Sequence, residues 1–263
     1  MPKEAFGGGD EGGGPPEEKK RLGLDRFGLS PDTNIRDVFW KIMGSYAATK
    51  KPGVELSTLE HDRFALMRVA LSILSRDGKE HFGLSPRFIT VYTIMMLLDG
   101  GWKDALEEFL SEGADEGGET IKIIAAALVK LFDNEQYKQS MGALFTEMLR
   151  GRGMAAVGLA YLPLMKNPEL VRSCRTELMI LAKGDIGQNQ LNAIRAITLI
   201  REEEDIKRTL ILLLSHWDVD ARAASAEALQ GMTGDAVVRE AASRRLASES
   251  DEEIKKILQR LAK

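Results

Sequence analysis

Apolar residues recur at three- and four-residue steps along most of the chain after Ser30. Leu59, Leu66, Val69 and Ile73 interleave with Phe64, Met67, Leu71 and Leu74, which describes a helix with one broad apolar face. Phe88 to Leu98 and Ile121 to Phe132 differ in being apolar nearly all round, with Lys122 and Lys130 the charges of the second. Helices of that kind sit centrally and are covered on several sides. No segment alternates apolar and polar with β-branched enrichment, and no Asn-Gly hairpin turn occurs, so the chain reads as all-α. The expected helices are 32–48, 58–76, 86–99, 102–111, 119–132, 134–150, 154–165, 168–183, 187–201, 203–216, 219–232, 235–247 and 251–262. Short Gly- and Pro-bearing breaks separate them, which makes neighbours antiparallel.

Local start signals agree with this parse. Ser57 to Glu60 and Ser250 to Glu253 have capping-box spacing. The pentapeptide Phe-Gly-Leu-Ser-Pro occurs at 27–31 and again at 82–86, each time ahead of a helix. Ser as N-cap and Pro at the first helical position account for its end, and Phe and Leu suit staples onto the helix that follows. An old duplication, or a tail segment that competes with the internal copy, is the sharper reading. Residues 1–29 form a Gly-rich, low-complexity tail with too little apolar surface to offset chain entropy, so disorder is expected there. A short partner-binding role is the alternative for that tail. The acidic, Gly-rich stretch 111–119 reads as a solvated loop without EF-hand spacing.

The last third carries a repeat. Helix pairs begin near 168, 203 and 235, and their second helices align at Leu191/Ile194, Ala221/Ala224/Ala228 and Ile254/Ile257/Leu261. The steps are 30 and 33 residues (191 to 221, 221 to 254), a period that belongs to stacked helix pairs. Asp218-x-Asp-x-Arg-x-Ala-Ala-x-x-Ala-Leu229 resembles the second helix of a HEAT repeat, and Asn167 to Arg172 is similar. The resemblance covers about 167–263. It implies a right-handed, armadillo-like α-solenoid of antiparallel helix pairs, and says almost nothing about function. Residues 187–201 lack the Asp and Arg of the pattern. The expected organisation is the tail 1–29, a helical region 30–150 of degenerate repeats or a separate domain, and HEAT-like repeats over 151–263.

Charge and chemistry narrow the function. Lys and Arg number 36 against 40 Asp and Glu, a net charge of −4, which disfavours a surface devoted to nucleic acid or anionic lipid. One cysteine, Cys174, gives no disulfide framework, and its apolar setting suits a reducing compartment, so a cytoplasmic protein is expected. His61, His81 and His216 show no metal-ligand spacing. Gly151 to Ala156 has the letters of a dinucleotide fingerprint but follows a helix, so it reads as a turn. Ser215, His216, Trp217 and Asp218 are consecutive and cannot form a relay among themselves. Trp217 reads as a core or groove aromatic.

No catalytic, cofactor or metal site emerges, and no membrane-inserted segment is expected. The reading that remains is a non-enzymatic scaffold or adaptor that binds another protein along its concave face. Arg195, Arg222, Gln230, Lys255, Lys256 and Arg260 are its candidate contact residues. The alternative is a HEAT-like nucleic-acid-binding or DNA-repair protein that uses the Arg and Lys of the C-terminal repeats. An enzyme assembled from scattered acids such as Asp62, Asp77 and Asp99 ranks last. Asp218 and Asp220 suit a helix N-terminus, and Arg222 suits a pair with an acid of the neighbouring repeat.

Overall fold

The structure is a computed structural model. It describes residues 85–151, 153–184 and 187–263, together with the helical residues Met67, Ala70, Leu71 and Leu74. The capping signal at 57–60, the pentapeptide copy at 27–31, the tail 1–29 and the acids Asp62 and Asp77 lie outside the described residues.

Every regular element among the described residues is helical: α1 (Pro86–Asp99), α2 (Lys103–Glu116), α3 (Gly118–Phe132), α4 (Glu135–Arg150), α5 (Ala155–Met165), α6 (Pro168–Ser173), α7 (Arg175–Gly184), α8 (Gln188–Ile197), α9 (Glu204–Leu213), α10 (Val219–Leu229), α11 (Ala236–Leu246) and α12 (Glu252–Leu261). Single 3₁₀ turns extend α8 (Thr198–Ile200) and α10 (Gln230–Met232). The starts are specified locally. Ser85 caps α1 through Phe88 N–H at 3.2 Å with Pro86 behind it. Asn134, Asn167, Asp218, Asp235 and Asp251 cap α4, α6, α10, α11 and α12 in the same way.

Three boundaries depart from the sequence reading, each for a visible reason. The segment 111–119 is not a loop, because α2 runs on to Glu116, and Gly117 and Gly118, at φ 61° and 52°, turn the chain directly into α3. Gly113 is buried inside α2, where a Cβ would stand 2.3 Å from Ile124 Cδ1 and 2.8 Å from the Tyr161 hydroxyl. It serves close packing and does not break the helix. The expected helix 168–183 divides at Cys174, just after Ser173 returns its hydroxyl to the Leu170 carbonyl at 2.7 Å. Asp251, not Ser250, caps α12. Glu249 takes the N–H groups of Ser250 and Asp251 at 2.9 and 3.0 Å, displacing the box expected from Glu253.

Packing follows a two-row plan. The second helices α3, α5, α8, α10 and α12 each touch the next one along. Behind them stand first helices: α4 packs on α5, α7 on α8, α9 on α10 and α11 on α12. The chain is thus an α-solenoid of stacked pairs, and α1 and α2 join it by packing on α3. The contacts of α4 and α5 carry the stack across residue 150. As expected for a helix apolar nearly all round, α3 is central, touching α1, α2, α4 and α5. One apolar core runs from Met67 to Leu261. Contacts are sparser among first helices than along the second-helix row.

The cap at Asp218 gives a direct check on this parse. Its carboxylate accepts from Asp220 N–H at 2.8 Å and Ala221 N–H at 3.3 Å. Asp218→Ala should lower stability by about 1 kcal/mol in urea denaturation while Asp218→Asn should cost much less. Equal losses from both would show that the side chain does not cap α10.

Candidate docking face

Helices α3, α5, α8 and α10 are each flanked on both sides and backed by a further helix, so each leaves one stripe toward solvent. On α3 that stripe is Lys122, Ala126 and Lys130. On α5 it is Ala156, Val157, Ala160, Pro163 and Leu164, spaced i, i+1, i+4, i+7 and i+8, with Ala156 and Leu164 exposed and the others half-buried. On α8 it is Gln188, Leu191, Asn192, Arg195 and Leu199, and on α10 Asp220, Ala223, Ala224 and Glu227. Helix α5 has no charged residue in its 11 positions, yet one flank faces water and Leu164 is 43% exposed. A wholly apolar stripe on a solvent face is uncommon for a helix that ends its packing there. Lys166, at φ 50° the left-handed cap of α5, ends the stripe with an exposed cation.

Charge is unevenly spread over this face. In α3, α5 and α8 the only carboxylate is Glu119, at the first turn of α3, 3.6 Å from Lys122 Nζ. The cations there are Lys122, Lys130 and Arg195, the last donating to Asn192 at 3.3 Å. The exposed charges of α10 are both acidic, Asp220 and Glu227.

The other row is locked by ions that step from one repeat to the next. Lys103 pairs with Glu147, Lys138 with Glu169 at 2.8 Å, and Arg150 with Glu177 at 2.7 Å. Arg172 and Arg175 share Glu203 at 2.7 and 3.0 Å, and Lys207 holds Asp235 at 2.8 Å. Arg172 and then Arg175 hold the Glu203 carboxyl below its ordinary value. Lys207 does the same for Asp235, whose own oxygen caps α11. Glu169, Glu177, Glu203 and Asp235 sit at the N-termini of α6, α7, α9 and α11, where a carboxylate is favoured. Their cations are thereby committed within the fold. A 570 Å³ cleft between α4 and α6 belongs to this row, and its charged walls, Lys138, Glu169 and Arg172, are already paired.

The sequence-derived contact residues divide. Arg195, Gln230, Lys256 and Arg260 are exposed and Lys255 is half-buried. Lys255 pairs with Glu252 at 2.7 Å, Lys256 with Glu253 at 2.6 Å, and Arg260 donates to the Lys256 carbonyl at 3.2 Å. Arg222 is 8% exposed and is not on the face. It forks onto both oxygens of Glu249 at 3.0 and 3.1 Å and reaches the His216 and Trp217 carbonyls. The acid expected for it in the neighbouring repeat is Glu249.

Trp217 is 74% exposed, so it is not a core aromatic. It stands in the turn after α9, beside His216 at 5.3 Å between ring centroids. His216 Nδ1 accepts from Asp218 N–H at 3.1 Å, and its Nε2 lies 3.4 Å from Gln190, whose buried Oε1 lacks a partner. Gly151 opens the turn between α4 and α5, as its helical approach requires. Cys174 is buried, and burial pushes its thiol up. Asp99 accepts from the Tyr137 hydroxyl at 3.2 Å. No group of three His, Cys, Asp or Glu side chains converges among the described residues. None of the described helices is long and apolar enough to cross a membrane.

No family model matches the sequence, and no curated protein matches it. Among solved structures the chain is similar to a designed armadillo repeat protein in complex with the peptide (KR)4. Identity is 16%, the likeness covers 88% of this chain and 98% of that one, and the TM-score is 0.43. The helix contacts described above carry the architecture.

Proposed function

We propose that the protein is a non-enzymatic scaffold or adaptor that binds a segment of another protein along its second-helix row. The observation that carries this reading is the uncharged stripe of α5, held open to solvent. Folding has buried the opposite flank, including Leu159, Tyr161 and Leu162, so the exposed one is available for a partner. A row of parallel helices offers a long surface to an extended or helical segment. Nucleic acid is the weaker reading, because four of the six cations of α11 and α12 are paired with acids: Arg244 with Glu240, Arg245 with Glu249, Lys255 with Glu252 and Lys256 with Glu253.

Exposed Ile180 and Leu212, equivalent positions of α7 and α9, make the first-helix row the rival surface. A photo-cross-linking residue placed singly at Ala160 or at Leu212, in the full chain within an extract of its own cells, separates the two. Position 160 should yield one discrete protein adduct that competes away with excess unlabelled chain, while position 212 yields none. Adducts from 212 alone, or from neither site, would overturn the assignment of the face.

A further inference from the structure

We infer that the surface spanning α3, α5 and α8 receives an acidic amphipathic segment, a helix or strand whose apolar side lies on α5 and whose carboxylates reach Lys122, Lys130 and Arg195. This rests on the proposed docking face and adds the chemistry of its occupant.

Three observations converge. The first is the apolar floor, Ala156, Val157, Ala160, Pro163 and Leu164, which is one helical stripe wide. Three of its five residues, Ala156, Ala160 and Pro163, are small and unbranched or ring-closed, so a partner side chain can approach the backbone closely; Pro163 also supplies no N–H to the Leu159 carbonyl. The second is the pair of rims. Cations stand on α3 on one side and on α8 on the other, with Lys166 at the end of the floor, and Glu119 is the single acid on the three helices. In the first-helix row, by contrast, cations meet acids at each step from α4 to α11. A basic segment laid on α5 would meet like charge on both rims, which excludes it by repulsion. The third is direction. Beyond α8 the face turns acidic at Asp220 and Glu227, so a bound segment that continues onto α10 must change sign there. The charge pattern thereby sets orientation as well as class.

The test uses the full chain and two synthetic helical peptides with the same apolar side, one with glutamates and one with lysines on the polar side. Binding is read by fluorescence anisotropy at low and high salt. Anionic vesicles of phosphatidylserine and phosphatidylcholine form a third arm. The glutamate peptide should bind tighter than the lysine peptide by roughly tenfold or more at low salt, with the gap narrowing as salt rises. Lys130→Glu with Arg195→Glu, both at exposed positions, should reverse the preference with the circular dichroism spectrum unchanged. Preference for the lysine peptide, equal binding, no binding of either, or stronger capture by vesicles would each overturn the acidic assignment. A discrete cross-link from position 160 would still stand under those outcomes, so failure of this inference is distinct from failure of the docking reading.

Discussion

Replacing Glu249 by Ala should destabilise the protein by about 3–5 kcal/mol, the loss typical when one partner of a buried ion pair is removed. Glu249 is 4% exposed and sits in the turn between α11 and α12, while Arg222 belongs to α10. The carboxylate takes both branches of Arg222, the side chain of Arg245, and the N–H groups of Ser250 and Asp251. Its loss strands the Arg222 guanidinium at a buried site and removes the groups that seat α12. Because repeats depend mainly on their nearest neighbours, the damage should fall on α10 to α12. Hydrogen exchange should show these helices opening first, with α3 to α5 still protected. Arg222→Met combined with Glu249→Leu should recover much of the loss, since apolar replacements of a buried pair are often tolerated. Uniform loss of protection along the chain would contradict this.

The same site fixes a pH dependence. Burial alone would raise the Glu249 carboxyl, but Arg222, the Asp251 N–H, Arg245 and the Ser250 N–H outweigh it and hold it at about 2 against an ordinary 4.5. A lowered folded-state value means that the stabilisation is fully present above the unfolded value near 4.5. It is lost as pH falls toward and through about 2. Glu249→Gln should flatten the acid limb of the stability profile in that window and change little of its shape at neutral pH.

Tyr161→Ala should have an effect of similar size, about 3–5 kcal/mol, because it empties a large fully buried site. The ring lies within α5, and its hydroxyl donates to the Leu110 carbonyl of α2 at 2.9 Å, next to Gly113. Burial, with the charge of Asp115, pushes the hydroxyl well above its ordinary value, so it stays a donor at neutral pH. Tyr161→Phe isolates the hydrogen bond and should cost about 1–2 kcal/mol. Gly113→Ala attacks the same junction from α2, since its Cβ would overlap Ile124 and the Tyr161 hydroxyl. Thermal denaturation of the three variants checks the order. A Tyr161→Ala variant as stable as the parent would mean that α2 and α5 do not meet as described.

The architecture was largely legible in the sequence because its signals are local and periodic. Ser85-Pro86, Asn167-Pro168, Asp218 and Asp235 start helices by their own side chains, and the scarcity of polar residues in 121–132, Lys122 and Lys130 apart, points to a helix covered on several sides. What failed depended on tertiary partners. Gly113 looks like a helix breaker until Ile124 and Tyr161 are seen against it. Arg222 pairs with an acid of the neighbouring repeat as expected, but Glu249, 27 residues later, buries it and so removes it from the contact residues. Trp217 reads as a core or groove aromatic, and the turn after α9 leaves it exposed, which removes the core half of that reading.

The docking face was missed for the same reason. Along α5 the exposed Ala156 and Leu164 are as apolar as the buried Leu159 and Leu162, so composition does not distinguish the two flanks. The usable signal was negative: one helix without a charge, among neighbours α3, α4 and α8 that each carry at least one. Only the order of packing, with α3 and α8 beside it and α4 behind, shows which flank is left open.

The central claim is that α3, α5 and α8 stand side by side and turn their open stripes to one surface. Spin labels at Ala126 and Arg195, read by pulsed electron resonance in the full chain, test it most directly. The account predicts one narrow distribution centred at roughly 20 Å, two interaxial steps of about 10 Å each. A separation twice as long, or a broad distribution without a dominant distance, would contradict it.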